Sequence, residues 1–446
     1  MTRPAPILEN AKIAWISPDS SLSNSFRDAF AEANYLVTDD MGRSRAQIAL
    51  VDVRCAPISV QNIRKFASRA RHAAPNGSII YLVDPLLDAS KRAYLQRTGV
   101  VVLVNDNVDH IISVCRNYIR LQNIAEEAGE RVKSLAAAGA LNSLTEPKSI
   151  DAPYSLLIAG KPSPLTLSVM TTTRNAGYRV ESVLTPLQAM NALETKPYDG
   201  AIFLPDQPSD PLRSLAKTLN RKSGHRDFPI LLVADEGVSG ERFLPPAHIN
   251  DDLAYTLDRM IRRARQTSIV RDFLNTDKLD RVADPQTKAI GASFYAQHGA
   301  RLLARAKETG RPFSLLALSI DAAHFETRSL QEIAPVLIEV SDLISNVTRS
   351  EDMLARIAPT TFVITLPATL KENAEKIGER LIGVIESTMF KTTNPATGIE
   401  TLFPISATAS SVENTEEMRF EELTARLLAT LNQSNKSYAY ARRKNT

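Results

Sequence analysis

The chain has 446 residues, room for about three domains and too many for one hydrophobic core. Hydrophobic residues at 43%, charged residues at 23% and aromatics at 6% are ordinary for a folded globular protein and exclude wholesale disorder. With 53 Lys and Arg against 50 Asp and Glu the net charge is only +3, so no general attraction to nucleic acid or to an anionic membrane follows, and any anion site must be local.

Cys55 and Cys115 are too few for a disulfide framework or a thiolate metal site, which fits a reducing compartment. The N-terminus MTRPAPILEN has no long apolar segment, and no stretch approaches the roughly 20 apolar residues of a membrane span. The expectation is a cytoplasmic protein with no membrane insertion. The His residues are scattered without metal spacing, and neither a glycine-rich phosphate loop nor a Gly-x-Ser-x-Gly elbow occurs.

The first third alternates apolar runs with helical patterns: KIAWIS, a helix from about Ser20, YLVT, AQIALVDV, a helix from Gln61 to Ala73, SIIYLV, a helix, VVVLVN, and a long helix from Asp109 that continues through NIAEEAGERVKSLAAA. Ile- and Val-rich runs separated by helices predict a parallel sheet covered on both faces. This domain takes in residues 1–141, and the polar segment 142–153 is a linker. The order then repeats over 154–277 with YSLLIAG, a helix after Pro164, YRVESVL, a helix, DGAIFLP, a helix, PILLVAD, a Pro-rich stretch and a helix from Asn250. That last helix carries Arg259, Arg262, Arg263, Arg265 and Arg271, which wrap much of it and predict a solvated or interdomain face rather than a DNA contact.

Residues 278–446 differ in character. A helix closed by Gly310 leads into the buried strand PFSLLALSID. A helix from Leu330 to Val347 follows, then DMLARI and TFVITLP as a hairpin, a helix from Glu372 to Glu386, the strand LFPISATAS and a terminal helix. This is a mixed α/β domain.

Open parallel sheets place working residues at the carboxyl ends of their strands. In the first domain those ends carry Ser17, Pro18 and Asp19, then Asp52, Val83 and Asn105. With Asp52 after the third strand, residues 11–122 resemble a receiver domain of bacterial response regulators. The resemblance implies a flavodoxin-like five-stranded fold with Asp52 as candidate phosphoacceptor. The family's acidic pair is replaced by Ser17 and Pro18, its hydroxyl residue by Val83 and its lysine by Asn105, so Mg²⁺ binding and phosphoryl transfer are poorly supported. The alternative is that Asp52 is merely a polar residue at a strand end. In the second domain Gly160 and Lys161 follow the first strand and Leu204 holds the acceptor position, which points to an adaptor or dimerisation surface.

From Asp284 onward the chain is similar to the GGDEF domain of diguanylate cyclases. The resemblance is carried by Asp284-Pro285-x-Thr287, LLALSID, RSED, FVITLP and EKIGER. Two receivers followed by GGDEF is the order of the PleD type of response regulator. That family holds GTP with carboxylates on Mg²⁺ and with a glycine hairpin that lets the backbone approach the phosphates. Here the hairpin reads Ala358-Pro359-Thr360-Thr361-Phe362, Ser319 stands at the strand carboxylate position and Ala334 at the guanine-reading acid. The family's Asn-Arg-Arg segment is Gly291-Ala292-Ser293. Pro359 also removes an N–H and fixes φ, and Asp321 alone does not replace the set. The resemblance therefore implies no catalytic residue, no metal site, no cofactor and no cyclase activity.

Arg349-x-x-Asp352 has the position and spacing of the family's inhibitory RxxD site, which binds cyclic di-GMP. The chemistry suits that ligand on its own terms. A guanidinium can fork onto the O6 and N7 edge of guanine or onto a phosphate, and a carboxylate can accept from N1–H and the amino group. Arg380 aligns with the family's second arginine, with Lys376 one turn earlier on the same face. Arg179 would reach across from the second domain. Arg349, Asp352, Arg380 and Arg179 are the expected ligand set, and Arg356 is expected to face solvent or the sheet edge. The rival reading of RSED is a solvated charge cluster worth little to stability. The implied protein is an inert cyclic di-GMP effector acting on protein partners, expected as a homodimer. The resemblance to degenerate, PopA-like effectors of alphaproteobacteria further implies delivery of cell-cycle regulators to the ClpXP protease through adaptors at a cell pole. An active cyclase with product inhibition and a phosphorylation-controlled scaffold are the alternatives.

Overall fold

The computed structural model describes residues 11–444 except 18–23, 34, 39–45, 55–58, 76, 85, 104–107, 141–152, 220–227, 235–242, 275–280, 322–329, 394–397, 399 and 416–417. The expected linker falls almost wholly outside the described residues, as do Pro18, Asp19, Asn105 and the predicted helix start at Ser20, while the prolines of the Pro-rich stretch, Pro245 and Pro246, open a short helical turn. Among the described residues no helix is long and apolar enough to cross a membrane.

The first unit runs β1 (Ala11–Ile16), α1 (Asn24–Glu32), β2 (Tyr35–Thr38), β3 (Ile48–Asp52), α2 (Val60–Ala73), β4 (Ser78–Val83), α3 (Ala89–Gln96), β5 (Val100–Leu103) and α4 (Val108–Ala137). Its sheet order is β2-β1-β3-β4-β5, with every described pairing parallel. Side chains alternate between faces along each strand, and both faces are covered, so nearly every position has to be apolar. Ile13, Leu50 and Ile80 pack under α1 and α4, while Ile16, Val51 and Tyr81 pack under α2 and α3.

The second unit repeats the plan with β6 (Ser155–Gly160), α5 (Pro164–Asn175), β7 (Arg179–Val183), α6 (Pro186–Thr195), β8 (Gly200–Leu204), α7 (Pro211–Leu219), β9 (Ile230–Val233), β10 (Phe243–Leu244) and α8 (Ile249–Leu274). The order β10-β9-β8-β6-β7 is again parallel. Local chemistry sets the helix starts: Ser163 caps α5 ahead of Pro164, and Thr185 with Gln188 forms a capping box at α6.

The third unit comprises β11 (Ile290–Gly291), α9 (Ala292–Thr309), β12 (Phe313–Ile320), α10 (Leu330–Val347), β13 (Met353–Ala358), β14 (Thr361–Pro367), α11 (Lys371–Glu386), β15 (Phe390–Thr393), β16 (Glu400–Phe403), β17 (Ala407–Glu413) and α12 (Phe420–Lys444). Its mixed sheet has the order β11-β13-β14-β12-β17, with β15 and β16 paired apart. Gly310 closes α9 in the left-handed region at φ 63, as its position predicts. The run LFPISATAS does not make the single strand expected of it. It divides around Pro404, which has no N–H for a ladder, into the end of β16 and the start of β17.

The units pack through their long helices. Beyond Tyr118, α4 buries Ile119, Asn123, Ile124, Glu127, Arg131, Ser134 and Leu135, a stripe at three- and four-residue spacing. Leu135 joins the core of the third unit with Phe294, Leu302 and Leu427. The first unit meets the second where the buried Arg92 pairs with Asp252 at 3.0 Å and Arg259 donates to the Gly99 carbonyl at 3.0 Å.

Candidate functional site

The turn after α10 carries RSED. Thr348 N–H and Oγ1 both bond the Ile344 carbonyl, closing the helix. Asp352 then folds back to accept from its own turn, Arg349 N to Oδ2 at 2.8 Å, while Asp352 N donates to the Arg349 carbonyl at 3.2 Å. Arg380 on α11 donates Nη2 to the Val347 carbonyl at 2.8 Å, a cation placed at the negative end of α10. Arg349 is 9% exposed, Asp352 8% and Glu351 2%, so this is not the solvated cluster of the rival reading.

Arg349 and Asp352 face a cavity of about 350 Å³ between the third unit and the ends of α4 and α8. Its lining includes Arg131, Arg271, Lys288 and Arg349 on the cationic side and Asp272, Asp342 and Asp352 on the acidic side. The volume lies in the range of small-molecule sites. Arg271, in the last turn of α8, donates Nε to Ser350 Oγ at 2.9 Å and so ties the second unit to the RSED turn. Lys288 stands at the rim with a left-handed backbone, φ 57.

The floor of the cavity is a buried ionic junction. Arg131 donates Nη2 to Glu127 Oε1 at 2.6 Å and Nη1 to the Leu274 carbonyl at 2.8 Å. His298 Nε2 lies 2.9 Å from the same Glu127 oxygen, and Ser134 Oγ lies 3.0 Å from His298 Nδ1. Burial alone would raise the Glu127 carboxyl, but the His298 and Arg131 charges beside it and their hydrogen bonds bring it down to about 2. One carboxylate thereby joins α4, α8 and α9.

Four expected residues meet different fates. Arg349 and Asp352 come together at the cavity, and Arg380 stands behind them at the end of α10. Arg179 does not join them. It opens the edge strand β7, exposed, with its N–H on the Tyr154 carbonyl. The second unit instead sends Arg271, because its last helix and not its edge strand meets the third unit. Lys376 is exposed on α11. Arg356 is not at the solvent either. It donates to Asp284 Oδ1 at 3.2 Å, to Gln286 and to the Pro359 carbonyl, and locks the hairpin to the Asp-Pro-x-Thr segment. Burial works against ionisation of Asp284, but the Thr287 N–H and hydroxyl and the Arg356 guanidinium hold its carboxyl below the usual range.

At the hairpin tip Ala358 faces Thr361 across a bulged register, and Ile320 N–H bonds the Thr360 carbonyl at 2.9 Å. Ser319 lies between Thr361 and Thr408. Among the described residues no group of three or more His, Cys, Asp or Glu is placed to hold a metal ion. In the first unit Asp52 is gripped by Arg54, Nε to Oδ1 at 2.9 Å and Nη2 to Oδ2 at 2.8 Å, with the Arg54 N–H adding a third bond. Val83 is fully buried. In the second unit Leu204 is buried against Gly160, and Lys161 pairs with Asp206 at the surface.

Comparison with known proteins gives a family for one part of the chain. The family description "Diguanylate cyclase, GGDEF domain" matches residues 282–437. No curated protein matches the chain. Similar solved structures include the GGDEF domain of DgcB from Caulobacter crescentus in complex with c-di-GMP, 21% identical, covering 35% of this chain and 89% of that one at a TM-score of 0.33. The FimX GGDEF domain from Pseudomonas aeruginosa is 16% identical over 35% of this chain and 94% of its own, TM-score 0.31. Diguanylate cyclase SiaD in complex with its activator SiaC, also from Pseudomonas aeruginosa, is 16% identical over 61% and 88%, TM-score 0.33. Two flavodoxin-like units with five-stranded parallel sheets thus precede a mixed-sheet unit, of which residues 282–437 match the GGDEF domain description.

Proposed function

We propose that this protein is a catalytically inert receptor for cyclic di-GMP that binds the dinucleotide at Arg349 and Asp352, with Arg380 supporting the turn and Arg271 replacing Arg179 as the cation from the second unit. The observation that carries the reading is the buried RSED turn opening on a cavity whose lining places Arg271 and Lys288 beside Arg349 and Asp352. A guanine and its phosphate need a fork donor, an acceptor and further cations, and Arg349, Asp352, Arg271 and Lys288 offer them within one lining. Inertness rests on the hairpin residues Ala358, Pro359, Thr360 and Thr361 and on Ser319, none of which can carry Mg²⁺ as a carboxylate does. The ligand then acts on the junction of three units, and protein partners read the altered surface. Recruitment of cell-cycle regulators to the ClpXP protease rests on the resemblance alone. A homodimer has to use surfaces other than the faces of α4 and α8 already packed within the chain.

Calorimetric titration of the intact protein with cyclic di-GMP tests the reading. Saturable binding is expected, weakened at least about tenfold in Arg349→Gly, the scale of one lost charge-assisted contact. No saturation, or undiminished affinity in the variant, overturns it. Formation of cyclic di-GMP from GTP and Mg²⁺ would restore the active-cyclase alternative. The scaffold alternative is disfavoured by the Arg54 grip on Asp52, which occupies both oxygens that a phosphoryl donor would have to meet.

A further inference from the structure

A second cavity, of about 140 Å³, lies where the first two units meet, between β5 and α4 on one side and β9, β10 and α8 on the other. Its wall is apolar, built by Val102, Val114, Phe243, Leu244 and Met260. Yet two guanidiniums, Arg259 and Arg263, border it, and no Asp or Glu is among the described residues that line it. Placing two like charges beside apolar surface is unfavourable unless something compensates them.

Arg259 is partly compensated, by the Gly99 carbonyl at 3.0 Å, the Tyr255 hydroxyl at 2.5 Å and the Tyr118 hydroxyl at 3.4 Å. Arg263 is not. Its guanidinium carbon stands 5.2 Å from the centre of the Tyr118 ring and, among the described residues, makes no ion pair and no side-chain hydrogen bond. A cation over a ring face keeps its in-plane N–H donors available, and those donors match a carboxylate fork. A cavity near 150 Å³ is the size that accepts one benzene ring. Opposite, the His110 ring lies 5.6 Å from that of Phe243, tilted at 58°, which adds an aromatic edge to the wall.

We infer that this interdomain cavity is a binding site for a small carboxylic acid with a compact apolar body, the ring or branched chain seated between Val102 and Phe243 and the carboxylate on Arg263. The site is too small for a dinucleotide and shares no residue with the cavity at Arg349. Because its walls come from both N-terminal units, an occupant would hold β5 and β10 in one relative position.

The test uses the intact protein, sodium benzoate as probe and benzyl alcohol as the uncharged counterpart with the same ring, at ionic strength matched with sodium chloride. Binding is followed by calorimetry and by saturation-transfer NMR. Benzoate is expected to saturate below about 10 mM, and benzyl alcohol to bind at least about tenfold more weakly, the scale of one charge-assisted pair. Arg263→Met should erase that preference, and Val102→Phe, which fills the space, should abolish binding of both. Should Val102→Phe fail to fold, Arg263→Met, altered at a half-buried side chain, still decides. Absence of saturation with benzoate, equal affinity for the two probes, or undiminished benzoate binding in Arg263→Met overturns the assignment.

Discussion

Replacing Glu127 by Gln keeps the shape of the side chain and removes the negative charge paired with Arg131, 1% exposed, at a site where the fully buried His298 also reaches the same oxygen. Breaking a buried pair by removing one partner costs about 3–5 kcal/mol, because the remaining cation stays out of water unpaired. The titration of Glu127 gives a similar size. Its carboxyl drops from 4.5 to about 2, which at roughly 1.4 kcal/mol per pH unit corresponds to about 3 kcal/mol. The folded value lies below the unfolded one, so this stability is fully present above about pH 5 and is lost as the pH falls from the unfolded value toward about 2. Scanning calorimetry of the intact chain at pH 7 should show the third-unit transition of Glu127→Gln lowered by on the order of 10 °C, given about 2–4 °C per kcal/mol for a domain of this size. The variant should also lose part of the wild-type acid limb between about pH 5 and 2. A shift under about 2 °C, or an acid limb identical to that of the wild type, would refute the view that one carboxylate holds α4, α8 and α9 together.

Arg271→Ala should weaken cyclic di-GMP about tenfold in the calorimetric titration while leaving the far-ultraviolet circular dichroism unchanged, whereas Arg179→Ala should leave affinity within about twofold. Gly299→Ala should destabilise the third unit by about 1–3 kcal/mol in denaturant titration, because a methyl there would occupy the space of the Phe420 ring where α9 crosses α12. Cys115 is fully buried, and burial pushes its thiol up to about 12, so in a Cys55→Ser background it should resist a disulfide reagent at pH 8 until the chain unfolds.

Much of the architecture is legible in order. Runs such as AQIALVDV and AIFLP become central strands because both faces of a parallel sheet are covered and polar residues are excluded from them. The RSED turn is legible too, since its spacing from the hairpin is a matter of a few residues along one chain. Arg54 is a residue that reading missed although a signal was present: an arginine two positions after a strand-end carboxylate is near enough to grip it. Arg356 lies beside the edge strand β11, one of the two expected places, but its partners Asp284 and Gln286 are 72 and 70 residues away and are brought close by the parallel pairing of β11 with β13.

By itself the sequence determined the strand and helix order of the first unit and the longer elements of the other two, though not the short strands β10, β11 and β15, together with the lack of carboxylates at the hairpin tip and the spacing of Arg349 from Asp352, all set by periodicity and by residues near one another in the chain. Tertiary structure decided which cations attend that pair. Arg271 arrives and Arg179 does not because α4 packs against α8 and against α9, and that packing aims the end of α8 at the RSED turn. The Glu127 and His298 contact spans 171 residues. No local pattern encodes such a distance, since it follows from how three units bury against one another the faces they leave uncovered.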